Sequence, residues 1–134
     1  HWFAQMIDPG SPTDCYRLIF SEENRPVGEI SFHRLDSKSM VAEFNIKIAC
    51  AERRKGYARE AMSLFLDYFF NRLGGHVLVD NVAPDNHTGQ QALLRYGFER
   101  DSSTKDVFRL RMTRWQYNRL YGTAERSILQ KQAG

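Results

Sequence analysis

The run Arg53-Arg54-Lys55-Gly56-Tyr57-Ala58 carries the most legible chemistry in this sequence. Three successive cations precede a glycine, and a small residue follows two positions later. If a helix starts here, its first backbone N–H groups have no acceptor inside the helix, and its dipole favours negative charge. Gly56 lets the main chain approach a phosphate closely, and Ala58 leaves room for a bulky ligand. The competing reading is a solvated basic turn. The run lacks the second glycine and the Lys-Ser/Thr pair of a P-loop. It also lacks the Gly-x-Gly of a dinucleotide fingerprint.

The flanking elements must place this loop at a strand-to-helix junction. Met40 to Ala49 alternates as a strand, with Phe44, Ile46 and Ile48 on one face and Glu43, Asn45 and Lys47 on the other. Tyr57 to Leu73 reads as a helix, with Ala58, Ala61, Met62, Phe65, Phe69 and Leu73 at three- and four-residue steps. Leu64, Leu66, Tyr68 and Phe70 widen that stripe, which predicts deep packing. Gly74-Gly75 supplies a left-handed stop.

Upstream, His1 to Ile7 reads as the end of a helix, broken by Asp8-Pro9-Gly10. Cys15 to Phe20 and Val27 to Leu35 read as a hairpin. Downstream, His76 to Val82 is a strand, and Thr88 with Gln91 fits a capping box for a short helix that ends at Gly97. Phe98 opens a strand, Ser102 to Asp106 is a turn, and Val107 to Met112 is the final strand. Trp115 to Leu120 reads as helical. Hairpins at one end and strand–helix–strand at the other imply an α/β fold: a mixed, mostly antiparallel sheet with helices on both faces. One domain is expected over residues 1–121, with 122–134 as a tail.

Composition excludes several classes. The chain has 134 residues, 42% hydrophobic and 26% charged, which is ordinary for a globular domain. A net charge of +3 suits an anionic ligand. Lys and Arg are spread along the chain rather than gathered on one element, which argues against a nucleic-acid reader. No apolar run approaches the roughly 20 residues of a membrane span. Cys15 and Cys50 are too few for a disulfide framework and match no metal spacing. A cytoplasmic setting is expected from them.

Arg53-x-x-Gly56-x-Ala58, followed by Arg59-Glu60-Ala61, resembles the cofactor signature of the GNAT superfamily of acyltransferases. About thirty residues on, Asn86 precedes Gly97-Phe98, which resembles the family's second motif. The likeness runs from Cys15 to about Met112. The Glu43 strand and the Val107–Met112 strand make it look most like the ribosomal-protein N-terminal acetyltransferase branch. The resemblance implies that acetyl-CoA is the cosubstrate, that an amine is the acceptor, and that no metal is needed. Backbone N–H groups of Arg54, Lys55, Gly56, Tyr57 and Ala58, beside Arg53, would hold the pyrophosphate. Ile46, Lys47 and Ile48 would pair with the pantetheine arm, and Asn86 would hydrogen-bond it. The family's first strand and helix precede the hairpin, so the chain reads as N-terminally incomplete.

Acyl transfer to an amine needs the neutral amine, a minor species near neutrality for a Lys-like group of pKa about 10.4. A general base is therefore useful. Glu43, on the polar face of the central strand, is the candidate; an exposed strand carboxylate is the alternative. His33 and His76 read as structural, while His87 lies beside Asn86. Two positions depart from the family. Leu93 stands where many members carry the Tyr that protonates the thiolate, and Gly89 stands where the named branch often carries Ser. The acid is unassigned, and a catalytically weak acyl-CoA sensor is the alternative function.

Overall fold

The computed structural model describes residues 3–6, 12–48, 57–102 and 106–122. The loop residues Arg53 to Gly56, Cys50 and the tail beyond Gly122 lie outside them. Strands β1 (Phe3–Met6), β2 (Cys15–Phe20), β3 (Pro26–His33) and β4 (Val41–Ile48) pair antiparallel in succession. Helix α1 (Tyr57–Asp67) and a π-helical segment (Tyr68–Arg72) lead to β5 (Val77–Val82), which pairs parallel with β4. Such a crossover suits a helix between parallel neighbours. Helix α2 (His87–Arg95), β6 (Glu99–Arg100), β7 (Phe108–Thr113) and a helix over 114–122, α3, complete the described chain. The strands form one seven-stranded mixed sheet in the order β1-β2-β3-β4-β5-β7-β6. This is the mixed α/β fold that the alternation of elements implies.

Turn chemistry sets the meander's corners. The Asp36 carboxylate accepts from the backbone N–H of Lys38 at 2.8 Å and of Ser39 at 3.3 Å. Those donors hold its pKa below the ordinary value. Asn24 and Met40 take positive φ angles of 61° and 57° to reverse the chain.

The core is largely aromatic. Phe44 meets Phe98 and Phe65 at centroid distances of 5.2 and 5.9 Å. Phe32 meets Phe65 and Phe69 at 5.8 and 5.4 Å. Phe70 continues from Phe69 to Tyr117 of α3, which stacks on Tyr121. Offset and edge-on rings of this kind add about 0.5–1.5 kcal/mol per pair beyond area burial. The chain of rings fastens α1 and the π segment to the sheet, and α3 to the π segment.

Three sequence expectations change. Residues 3–6 form a strand, not a helix end. Four residues are too few to express a helical period, and pairing from Phe3↔Phe20 to Met6↔Arg17 supplies their backbone partners. The 57–73 helix is not α throughout: the Leu73 N–H reaches the Tyr68 carbonyl at 3.0 Å. The wider π turn lets the adjacent Phe69 and Phe70 both be buried, one toward Phe32 and the other toward Tyr117. Leu64, expected in the stripe, is 55% exposed, because its position turns away from the sheet. The Arg114 guanidinium closes the π segment by donating to the Phe70 carbonyl and, at 2.8 Å, to the Gly75 carbonyl.

Candidate functional site

β4 and β5 pair over three positions only: Val41↔Val77, Ala42↔Leu78 and Glu43↔Val79. Beyond Glu43 each strand stays paired on its outer side, β4 with β3 through Gly28↔Ile48 and β5 with β7 through Val82↔Phe108. The inner edges part, and a cavity of about 240 Å³ opens between them. Asn45 and Ile46 form one wall, and Asp80, Asn81 and Val82 the other. The α2 cap Asn86 and, along α2, Gly89, Ala92 and Leu93 cover it.

Asn86 is the N-cap of α2, and its Oδ1 accepts from the Gly89 N–H at 3.0 Å. This corrects the capping box expected at Thr88: the cap lies two residues earlier, at Asn86, and the helix begins at His87. Gly89 has a packing reason to lack a side chain. A Cβ there would stand 2.7 Å from Asn86 Nδ2. Leu93 is buried in the cavity's cover with 3% exposure, so the place where a tyrosine was expected is apolar.

Asp80 is the residue that sequence reasoning missed. It is the first β5 residue beyond the last β4 pair, at the apex of the split. Burial, and secondly the nearby Glu43 carboxylate, push its pKa from 3.8 up to about 6. A signal was present. Within Val77-Leu78-Val79-Asp80-Asn81-Val82, a carboxylate interrupts an apolar run that ought to be a buried strand. Asn81 was missed too; its Oδ1 accepts from Arg109 Nε at 2.9 Å.

The candidate base Glu43 flanks the same apex from β4. Its carboxylate pairs with Arg34 at 3.3 Å, and its side chain is 47% exposed. Of the three β4 residues expected along the cofactor, Ile46 borders the cavity. Lys47 and Ile48 border a separate shallow groove with Gly28 and Glu29. The Lys47 ammonium lies 4.0 Å from the Glu29 carboxylate. Tyr57 opens α1, as the strand–loop–helix reading requires. His33 has structural partners, Ser31 Oγ at 3.0 Å and Asp14 at 3.5 Å. His87 and His76 are exposed. Among the described residues no group of three His, Cys, Asp or Glu is placed to hold a metal, and no helix is long and apolar enough to cross a membrane.

A mixed sheet split between parallel β4 and β5, with a helix N-terminus over the gap, defines the acyl-CoA N-acyltransferase class. Residues 1–99 match the family described as the acetyltransferase (GNAT) domain. The chain belongs to that family. Acetyl-CoA is the cosubstrate consistent with this fold.

The chain is 33% identical over 75 residues to an uncharacterized N-acetyltransferase, YoaA, of Bacillus subtilis (strain 168), covering 56% of this chain and 42% of that protein. It is 24% identical over 91 residues to an uncharacterized N-acetyltransferase, p20, of Bacillus licheniformis, covering 68% of this chain and 51% of that one. The chain thus spans about half the length of the curated relatives it matches. Among solved structures, spermidine/spermine N-acetyltransferase SpeG from Vibrio cholerae, in complex with manganese ions, superposes with a TM-score of 0.71 at 22% identity. That match covers 84% of this chain and 73% of SpeG. A chimera of SpeG with hSSAT gives a TM-score of 0.71 at 22% identity, covering 82% and 72%. At such identity the likeness is one of fold. These neighbours overturn the placement in the ribosomal-protein N-terminal acetyltransferase branch. The Glu43 strand and the closing strand, on which it rested, are parts of the common sheet and do not mark a branch.

Proposed function

We propose that this chain moves an acetyl group from acetyl-CoA to a primary amine by direct attack. The carrying observation is the open seam between β4 and β5. It leaves a cavity bordered by Asn45, Asp80, Asn81 and Asn86, and in the sequence the basic run Arg53–Gly56 leads directly into α1. In this reading the phosphates lie against the start of α1, whose first N–H groups lack acceptors within the helix and which Arg53, Arg54 and Lys55 precede in the sequence. The acyl end lies in the seam, where strand edges offer backbone donors to the carbonyl oxygen as it gains charge. Glu43 takes the proton that the attacking amine loses.

The acceptor in this reading is a primary amine, either a small amine or a protein N-terminus. Polyamines belong on the test panel, since the solved neighbours are spermidine N-acetyltransferases. Thiol release from acetyl-CoA, followed with spermidine, spermine, simple alkylamines and a short peptide amine, tests the reading. Amine-dependent release is expected. Tight CoA binding with no release for any amine would instead support an acyl-CoA sensor, the reading that Leu93 favours by putting an apolar side chain where the family's tyrosine donor stands.

A further inference from the structure

The seam has a carboxylate on each side. Side chains alternate across a strand. Glu43 lies next to Ala42 and Phe44, which are buried in the core, so it projects from the opposite face. Asp80 lies between Leu78 and Val82 and opposite Leu110, all buried, so it projects toward the face that α2 covers. Both stand at the apex where the β4–β5 ladder ends, and Asp80 borders the cavity together with Leu93.

We propose that Asp80 is the proton donor to the coenzyme sulfur, filling from β5 the role that Leu93 cannot fill from α2. This rests on the acetyl-transfer reading. The amine nitrogen bonds to the thioester carbonyl carbon and gives a proton to Glu43. The C–S bond then breaks, and the departing sulfur takes the proton of the Asp80 carboxylic acid. The products are the acetamide, free CoA thiol, a protonated Glu43 and an Asp80 carboxylate. Exchange of one proton with solvent at each carboxyl restores the start.

The site supplies the proton in useful amount. With its pKa near 6, about a tenth of Asp80 side chains are protonated at pH 7, against fewer than about one in a thousand at 3.8. A departing thiol of pKa about 8.5 accepts that proton downhill. Among the described residues, Glu43 is the charged group that acts on Asp80 from β4. β7 sets Leu110 opposite it, and α2 contributes Gly89, Ala92 and Leu93. Arg109 and Arg111 of β7 alternate to the other face, with Asn81 and Val79.

The experiment compares wild type, Asp80→Asn and Asp80→Glu. It measures thiol release from acetyl-CoA with an accepted amine between pH 5.5 and 9, acetyl-CoA affinity by calorimetry, and folding by circular dichroism. Asp80→Asn should hold acetyl-CoA within about threefold while kcat falls about 100-fold or more. The wild-type kcat profile should bend over as pH rises, and the Asp80→Asn profile should lose that bend. Asp80→Glu, which keeps the proton, should keep the bend and part of the turnover, and it carries the test if Asp80→Asn does not fold. Unchanged kcat and profile in Asp80→Asn overturn this inference alone, as does an affinity loss that accounts for the whole effect. Absence of amine-dependent release by wild type overturns the acetyl-transfer reading together with it.

Discussion

Replacing Asp80 with Asn should stabilise the folded chain, and the gain should grow with pH. In the native state the carboxyl holds its proton up to about pH 6; unfolded, it releases it near 3.8. Below 3.8 both states are protonated and the group adds no pH-dependent term. As pH rises from 3.8 to 6, the unfolded chain ionises while the native chain resists, so stability falls. Above 6 the loss is complete. That displacement corresponds to about 3 kcal/mol if taken whole. Asp80 is only half-buried at the cavity wall, so solvent screening reduces it to about 1–2 kcal/mol. Asn keeps the shape and removes the titration. Urea unfolding of wild type and Asp80→Asn at pH 4, 5.5 and 7.5 should show curves nearly coincident at pH 4. By pH 7.5 they should differ by about 1–2 kcal/mol, or roughly 3–6 °C in Tm. A stability difference that stays constant across this range would refute the reasoning, because desolvation of an ionising carboxylate cannot produce it.

Other substitutions test other parts of the molecule. Gly56→Glu should abolish CoA binding by setting bulk and negative charge in the basic run; unchanged affinity by calorimetry would place the phosphates elsewhere. Glu43→Gln should lower kcat by about 100-fold with little change in CoA affinity, and equal rates would remove Glu43 as the base. Gly89→Ala drives a Cβ against Asn86 Nδ2 at 2.7 Å, so it should cost about 1 kcal/mol by displacing the cap. Asn86→Ala should then add little further loss in a double-mutant cycle. Gly75→Ala would overlap the fully buried Phe69 ring and should cost about 1–3 kcal/mol in urea unfolding.

The strands and their order were largely legible, because period-two alternation in Val41–Ile48 and the breakers around Asn24 and Asp36 are local signals. The resemblance put Asn86 at a helix start, while spacing alone offered Thr88 and Gln91 as a capping box; the backbone decides for Asn86. Phe3–Met6 was misread because its conformation is set by a partner strand rather than by its own sequence. The opening beside Ile46 was legible only through the family resemblance, not from the residues themselves. It exists because β4–β5 pairing stops after Glu43↔Val79, which no residue type announces. Asp80 could have been noticed as a carboxylate inside an apolar strand. Its place beside Glu43 depends on a parallel crossover joining residues 37 positions apart.

The π turn at Tyr68–Arg72 fits one more residue into the helix than an α turn would hold. The chain therefore behaves there as though a single residue had been inserted and accommodated. Removing one residue from this stretch would restore an ordinary α period, but then Phe69 and Phe70 could not both keep their partners, Phe32 on the sheet and Tyr117 on α3. Either the helix would loosen from the sheet or α3 would lose its stacking ring. In comparisons among relatives, a gap at this point should thus coincide with a changed residue at position 117, linking the length of one helix to the side chain of another nearly fifty residues away.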